Sequence, residues 1–181
     1  LPEDSPRRRS VVIKNPLGED TSVMRTTCIP SMLRVISDNL SVKNPDVSLF
    51  EIGNVYIPTG DDTLPDERPQ ITLGFYRNGV QDESGFYRLK GAVCALLDIA
   101  GIKDASFEAV SDESAFHPGR CAAVKVNGKR LGILGEIHPE VAKNYDITER
   151  TYVCELDLST LFEERHDGVD YVPVPKFPAV E

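Results

Sequence analysis

The sequence predicts an α+β fold, an antiparallel or mixed β-sheet with helices packed against it. Three observations point there. Asn127-Gly128 separates two aliphatic runs, Ala123-Val124-Lys125-Val126 and Arg130-Leu131-Gly132-Ile133-Leu134, which is the strongest short-range hairpin signal a chain can carry. Phe86, Leu89, Val93, Leu96, Leu97 and Ala100 recur at helical spacing and make one broad apolar face. Tyr152, Cys154, Leu156 and Leu158 alternate with Val153, Glu155 and Asp157, the period of a strand. No glycine-rich phosphate loop occurs, so nothing supports a parallel nucleotide-binding sheet.

Taken in order, residues 9–14 read as a strand through β-branched Val11, Val12 and Ile13, and Asn15-Pro16-Leu17-Gly18 ends it with turn chemistry. A helix starts near Pro30, where a missing N–H costs nothing, and Ile29, Met32, Leu33, Ile36 and Leu40 share its face. Asn44-Pro45-Asp46 stops it. Residues 47–57 are a strand in which Gly53 marks a bulge or a close backbone approach. Residues 59–69 form a polar loop, 70–76 a second strand, and Asn78-Gly79 a turn. The helix over 85–100 takes Ser84 as a cap and ends at Gly101 in left-handed geometry. Residues 105–110 give a short strand, 121–137 the hairpin, 139–145 a short helix, 152–158 a strand, 159–164 a helical turn or two, and 171–174 a last short strand.

At 181 residues the chain holds one substantial core or two small ones. Its 40% hydrophobic and 27% charged residues are ordinary for a globular protein. The longest apolar run, Ala92-Val93-Cys94-Ala95-Leu96-Leu97, falls far short of the roughly 20 residues a bilayer requires. No apolar run follows the basic Arg7-Arg8-Arg9, so no secretory signal is visible and that run reads as a solvated tail. The net charge of -9 argues against holding nucleic acid by bulk electrostatics and makes protein the more plausible partner. The four cysteines are widely spaced without a CxxC, and the three histidines do not cluster, which reads as reduced thiols in a cytoplasmic protein without a metal site.

Three places carry polar residues that invite chemistry. Glu51 interrupts an apolar strand and is either a site carboxylate or, more simply, an edge position or half of a salt bridge. His117-Pro118-Gly119-Arg120 either binds an anion or shapes the start of a strand, with Gly119 supplying unusual backbone angles; the turn chemistry favours the second. Glu136, His138 and Glu140 lie close together, but the spacing is not HExxH and no nucleophile is near, which favours a strand-to-helix corner.

Six segments in order resemble the β subunit of bacterial phenylalanyl-tRNA synthetase. They are Asn15-Pro16-Leu17 through Met24-Arg25-Thr26 to Ile29-Pro30-Ser31-Met32-Leu33; Leu49-Phe50-Glu51-Ile52-Gly53-Asn54-Val55-Tyr56; Phe86-Tyr87-Arg88-Leu89-Lys90-Gly91; Phe116-His117-Pro118-Gly119-Arg120; Leu134-Gly135-Glu136-Ile137-His138-Pro139-Glu140-Val141; and Phe177-Pro178-Ala179-Val180. The resemblance implies a fold related to class II synthetase cores, with residues 1–14 a tail and first strand and 15–181 a catalytic-like module. It implies a cytoplasmic enzyme of two α and two β chains, in which the α subunit carries the active site and tRNA(Phe) is met through the holoenzyme. ATP and magnesium then belong to the holoenzyme, and this chain is expected to be inactive and to bind no cofactor by itself. Catalysis in that class needs arginines on triphosphate, whereas the segments around Phe50-Glu51-Ile52-Gly53 and 152–158 offer acids or neutral groups. Asn15, Pro16, Met24, Arg25, Pro30, Glu51, Gly53, His117, Arg120, Glu136 and His138 are expected at subunit contacts or structural corners, with the α contact near Met24-Arg25 and the helix from Pro30. An editing domain upstream and an anticodon-recognition domain downstream are expected outside this chain, with Glu181 at a boundary. The other reading is a stand-alone amino acid- or nucleotide-binding relative on the same fold.

Overall fold

A computed structural model describes residues 5–60, 63–77, 79 and 84–166. Its elements are helix α1 (Ile29–Ser41), strands β1 (Asp46–Ile57) and β2 (Asp66–Arg77), helix α2 (Ser84–Ile99), strands β3 (Ala105–Ala109), β4 (Phe116–Val126) and β5 (Lys129–Ile137), helix α3 (Pro139–Lys143), strand β6 (Thr151–Asp157) and helix α4 (Leu158–Glu164). The six strands form one sheet in the order β1-β2-β6-β5-β4-β3, and every neighbouring pair is antiparallel.

Strand alternation divides the buried side chains into two cores. Ile71, Phe75, Leu134, Tyr152, Cys154 and Leu156 face α2 and α4, which add Leu89, Val93, Leu97 and Leu161. Tyr76, Ile133, Ile137 and Val153 face the other way, against α1 and α3, which add Met32, Leu33, Ile36 and Ala142. A sheet covered on both faces explains why β6 is buried almost throughout.

Local chemistry accounts for the joints. Asn127 and Gly128 both take positive φ, 50° and 78°, as a two-residue hairpin demands. Helix α2 ends in paired reverse bonds, Gly101 N to Asp98 O at 3.0 Å and Ile102 N to Leu97 O at 2.9 Å, with Gly101 at φ 72°. Ile102 then turns into the α2-side core. Helix α1 crosses β2 at Gly74, where a Cβ would lie 2.5 Å from Met32 Sδ; the bare backbone is what lets the helix settle onto the sheet.

Several expectations need correction. Residues 9–14 form no strand; Val12 makes only an isolated bridge to Val23, because the β-branched run has no neighbouring strand to pair along. Strand β2 begins at Asp66, so Pro69 lies inside it. Pro69 faces Asn54 across β1 but precedes the first β6 pair at Gln70, and its missing N–H interrupts no ladder bond. Gly53 is no bulge, since the β1–β2 register runs unbroken through it. The His117–Arg120 stretch lies within β4 and is its irregularity, with a register shift between Phe116 and Cys121 and no positive φ at Gly119. Ser84 is the first residue of α2 itself. Residues 171–174 and 177–180 lie outside the described residues, as does Asn78 of the expected turn.

Candidate functional site

The polar residues singled out in the sequence gather into three groups. In the first, the segment before α1 runs beside β1, with Arg25 O accepting from Tyr56 N at 2.8 Å. The Arg25 guanidinium pairs with Glu51 Oε1 at 2.5 Å, donates through Nε to Asn54 O at 2.9 Å, and lies over Gly53, where any Cβ would overlap it. Glu51 therefore takes its salt-bridge reading. Asn15, Pro16 and Pro30 are exposed, and Met24 is half-buried, its N–H bonded to Val11 O at 2.8 Å.

The second group joins two segments that looked separate. Arg120 Nη1 meets Glu136 Oε1 at 2.8 Å, and Arg150 Nε lies 3.9 Å from the same oxygen. Glu136 is 3% exposed, and its Oε2 has no hydrogen-bond partner among the described residues. The Tyr152 hydroxyl is pushed up by burial and by the Glu136 charge beside it. Neither histidine joins these groups. His117 Nδ1 accepts from Gly119 N at 3.1 Å, and His138 Nδ1 accepts from Glu140 N at 3.2 Å as the cap of α3.

Sequence reading did not foresee the third group. Glu155 on β6 is buried; its Oε1 accepts from Cys28 N at 2.7 Å and from Thr27 Oγ1 at 2.8 Å, while Arg7 Nη1 lies 3.7 Å from its Oε2. Helix α1 has no cap from its own N-cap side chain, and this carboxylate satisfies the buried Cys28 amide and opposes the helix dipole. A charged residue between Cys154 and Leu156 of β6 was the available signal, but its partners sit more than a hundred residues away in the chain.

An open cleft of about 530 Å³ lies along β1, β2, β6 and β5. Arg7, Arg68 and Arg130 line it, so its guanidinium groups come from segments other than those read as lacking them. Each is held by an acid: Arg7 by Glu155, Arg68 Nε by Asp66 Oδ2 at 2.7 Å, and Arg130 by Glu113. Glu67 and Asp157 add further negative charge.

Residues 1–158 match the family model described as the phenylalanyl tRNA synthetase beta chain CLM domain. The phenylalanine–tRNA ligase beta subunit of Clostridium acetobutylicum is 45% identical over 181 residues, covering 99% of this chain and 22% of that protein. The beta subunit of Symbiobacterium thermophilum is 41% identical over 187 residues, covering 99% of this chain and 21% of that protein. The chain thus spans about a fifth of the length of these relatives. Among solved structures, two of pyrrolysyl-tRNA synthetase from Desulfitobacterium hafniense share the fold, at TM-scores of 0.68 and 0.69 with 18% and 17% identity. They cover 86% and 95% of this chain, and 52% and 62% of theirs. The six-stranded antiparallel sheet is that of a class II synthetase core, and the chain belongs to the family of the phenylalanyl-tRNA synthetase beta chain CLM domain.

Proposed function

We propose that this chain is the non-catalytic assembly module of a phenylalanine–tRNA ligase β subunit, packing against the catalytic α subunit in a cytoplasmic enzyme that joins phenylalanine to tRNA(Phe) with ATP and magnesium. The observation that carries this reading is the outer edge of the sheet. Phe50 and Ile52 on β1 are 71% and 62% exposed and project from the same face of one strand. Tyr56 N and Asn54 O both bond outward to Arg25, which fixes the direction of the alternate residues. The backbone groups of Ser48, Phe50 and Ile52 therefore point away from β2. An apolar face beside open hydrogen-bonding groups is the chemistry of a surface made to be covered by another chain.

The charged groups support the same reading. Arg25, Arg120, Glu51 and Glu155 are engaged within the fold, and both described motif histidines serve their own turns. The alternative, a stand-alone amino acid- or nucleotide-binding relative, is not favoured, because each arginine of the open cleft already faces a carboxylate.

The test is co-expression of the full-length β subunit with α. Phe50→Lys combined with Ile52→Lys should lower recovery of the assembled enzyme at least tenfold while leaving the β chain folded by circular dichroism. Undiminished recovery would remove this edge from the interface.

A further inference from the structure

The second polar group faces a cavity that the assembly reading leaves unused. It measures about 330 Å³ and lies on the α2 face of the sheet, between the first turns of α2, strand β3 and the irregular stretch of β4. Its wall is aromatic, from Phe86 and Tyr87 on α2, Phe107 on β3 and Tyr152 on β6. Phe86 and Tyr87 meet edge to face at 5.7 Å, and Tyr87 is 62% exposed. Glu136 lines the same cavity, more than nine-tenths buried, with Oε2 unpartnered. A buried carboxylate oxygen without a donor is costly, and it specifies what should arrive: an N–H or O–H.

The cations around it narrow the choice. Arg120 and Arg150 already lie on the other oxygen of Glu136. Lys90 Nζ sits 4.5 Å from the Phe107 ring centre and forms no salt bridge among the described residues. Glu108, the acid of β3 nearest in sequence, is taken by Lys125 at 2.5 Å. One carboxylate among three cations leaves the pocket positive, so a second cation is disfavoured. The fitting ligand combines a neutral donor, a flat ring and an anionic group.

We propose that this cavity binds a single unstacked nucleotide. Its base lies against Phe86, Tyr87 and Phe107, an amino group on the base donates to Glu136 Oε2, and its phosphate meets Lys90 and Arg120. Carboxylates accept from the cytosine amino group, and stacking on aromatic side chains tolerates any base. The nucleotide comes either free from solution or as one residue of an RNA strand. With a net charge of -9, the chain would hold such a residue at this one local site and not along a basic surface.

The test is calorimetry on this chain, and on the full-length β subunit carrying it, with CMP, AMP and UMP as probes. CMP and AMP should bind at least fivefold more tightly than UMP, whose ring carries no amino group. Glu136→Gln should erase that preference, and Lys90→Met and Tyr87→Ala should each weaken CMP about tenfold. Because Glu136→Gln also leaves two arginines without their acid, the exposed Tyr87 and Lys90, which forms no salt bridge among the described residues, provide variants that leave the buried ion pairs intact. An oligocytidylate that binds more than tenfold tighter than CMP, with affinity falling as salt rises, identifies RNA as the source; equal affinities identify the free nucleotide. No binding of any nucleotide at millimolar concentration, binding untouched by Lys90→Met and Tyr87→Ala, binding instead of a peptide through its apolar C-terminal residue, or a crystal with only water on Glu136 Oε2 would each overturn the proposal.

Discussion

Arg25 ties β1 to the segment that leads into α1, and it does so only because residue 53 lacks a side chain. Arg25→Ala should cost about 1–2 kcal/mol, since the pair with Glu51 is a third exposed and the bond to Asn54 O is lost with it. Gly53→Ala should cost a similar amount by driving the guanidinium away. In the Arg25→Ala background the same change should cost little. A double-mutant cycle in chemical denaturation checks this; additive effects would mean that Gly53 matters for another reason. Glu155→Ala should be more damaging, about 2–4 kcal/mol, because it strips a buried amide and a hydroxyl of their acceptor. The thiols give a pH test. Burial pushes Cys28, Cys121 and Cys154 up from the ordinary value of 9.0. The unfolded chain then loses these protons first, so the stability they contribute is intact below pH 9 and drains away as pH rises above it, at up to about 1.4 kcal/mol per unit for each thiol. Denaturation midpoints between pH 8 and 10.5 should fall accordingly, and native alkylation should label half-buried Cys94 before the other three. At this scale the sequence showed which residues were odd. A carboxylate inside an apolar strand is visible at Glu51, but its partner is 26 residues away, and distance along the chain carries no signal of contact.

Elements whose form is dictated locally were legible, and those dictated by packing were not. The Asn127-Gly128 hairpin and the Gly101 stop are written in residues that tolerate positive φ, so neighbouring chemistry is enough. Helix α1 was legible from its apolar spacing, with Ile29, Met32, Leu33 and Ile36 all buried. Residues 9–14 had the composition of a strand without a neighbour to make them one, and Pro69 hid four residues of β2 because its harmlessness depends on where β6 begins. The Arg120–Glu136 pair needed the β4 irregularity beside β5, which no local pattern announces. Gly74 carries the element-scale prediction. A valine there would drive its side chain into Met32 and Ile36, so α1 must rise from the sheet. Overpacking of this kind costs about 1–3 kcal/mol. Amide exchange in α1 should accelerate far more than exchange in β4 and β5. Uniform acceleration would mean that the helix and the sheet open as one unit.

For the whole molecule, helices lie on both faces of the sheet, and among the described residues the β1 edge is covered only where the Arg25 segment bonds to Asn54 and Tyr56. Helices α2 and α4 reach Ile71 and Phe75 on β2 and stop there, leaving the matching face of β1 open at Phe50 and Ile52. Nothing in this strand blunts the edge: from Val47 to Ile57 it contains no lysine and no proline, and its single acid, Glu51, points to the opposite face toward Arg25. A chain with such an edge should not remain single when concentrated. Without its natural cover, two copies can align β1 against β1 across a two-fold axis, each satisfying the other's outward backbone groups and shielding its phenylalanine and isoleucine. Sedimentation of this chain should therefore show concentration-dependent dimers. Phe50→Lys with Ile52→Lys should abolish them, since like charges would face each other across the axis. Both positions are exposed, so thermal stability should change by less than about 0.5 kcal/mol per site. Dimers that survive the double substitution would place the sticky surface elsewhere, on exposed Val35 of α1 and Val42 just past its end, or on the arm around Leu17. A chain that stays monomeric at every concentration would show that twist alone protects this edge.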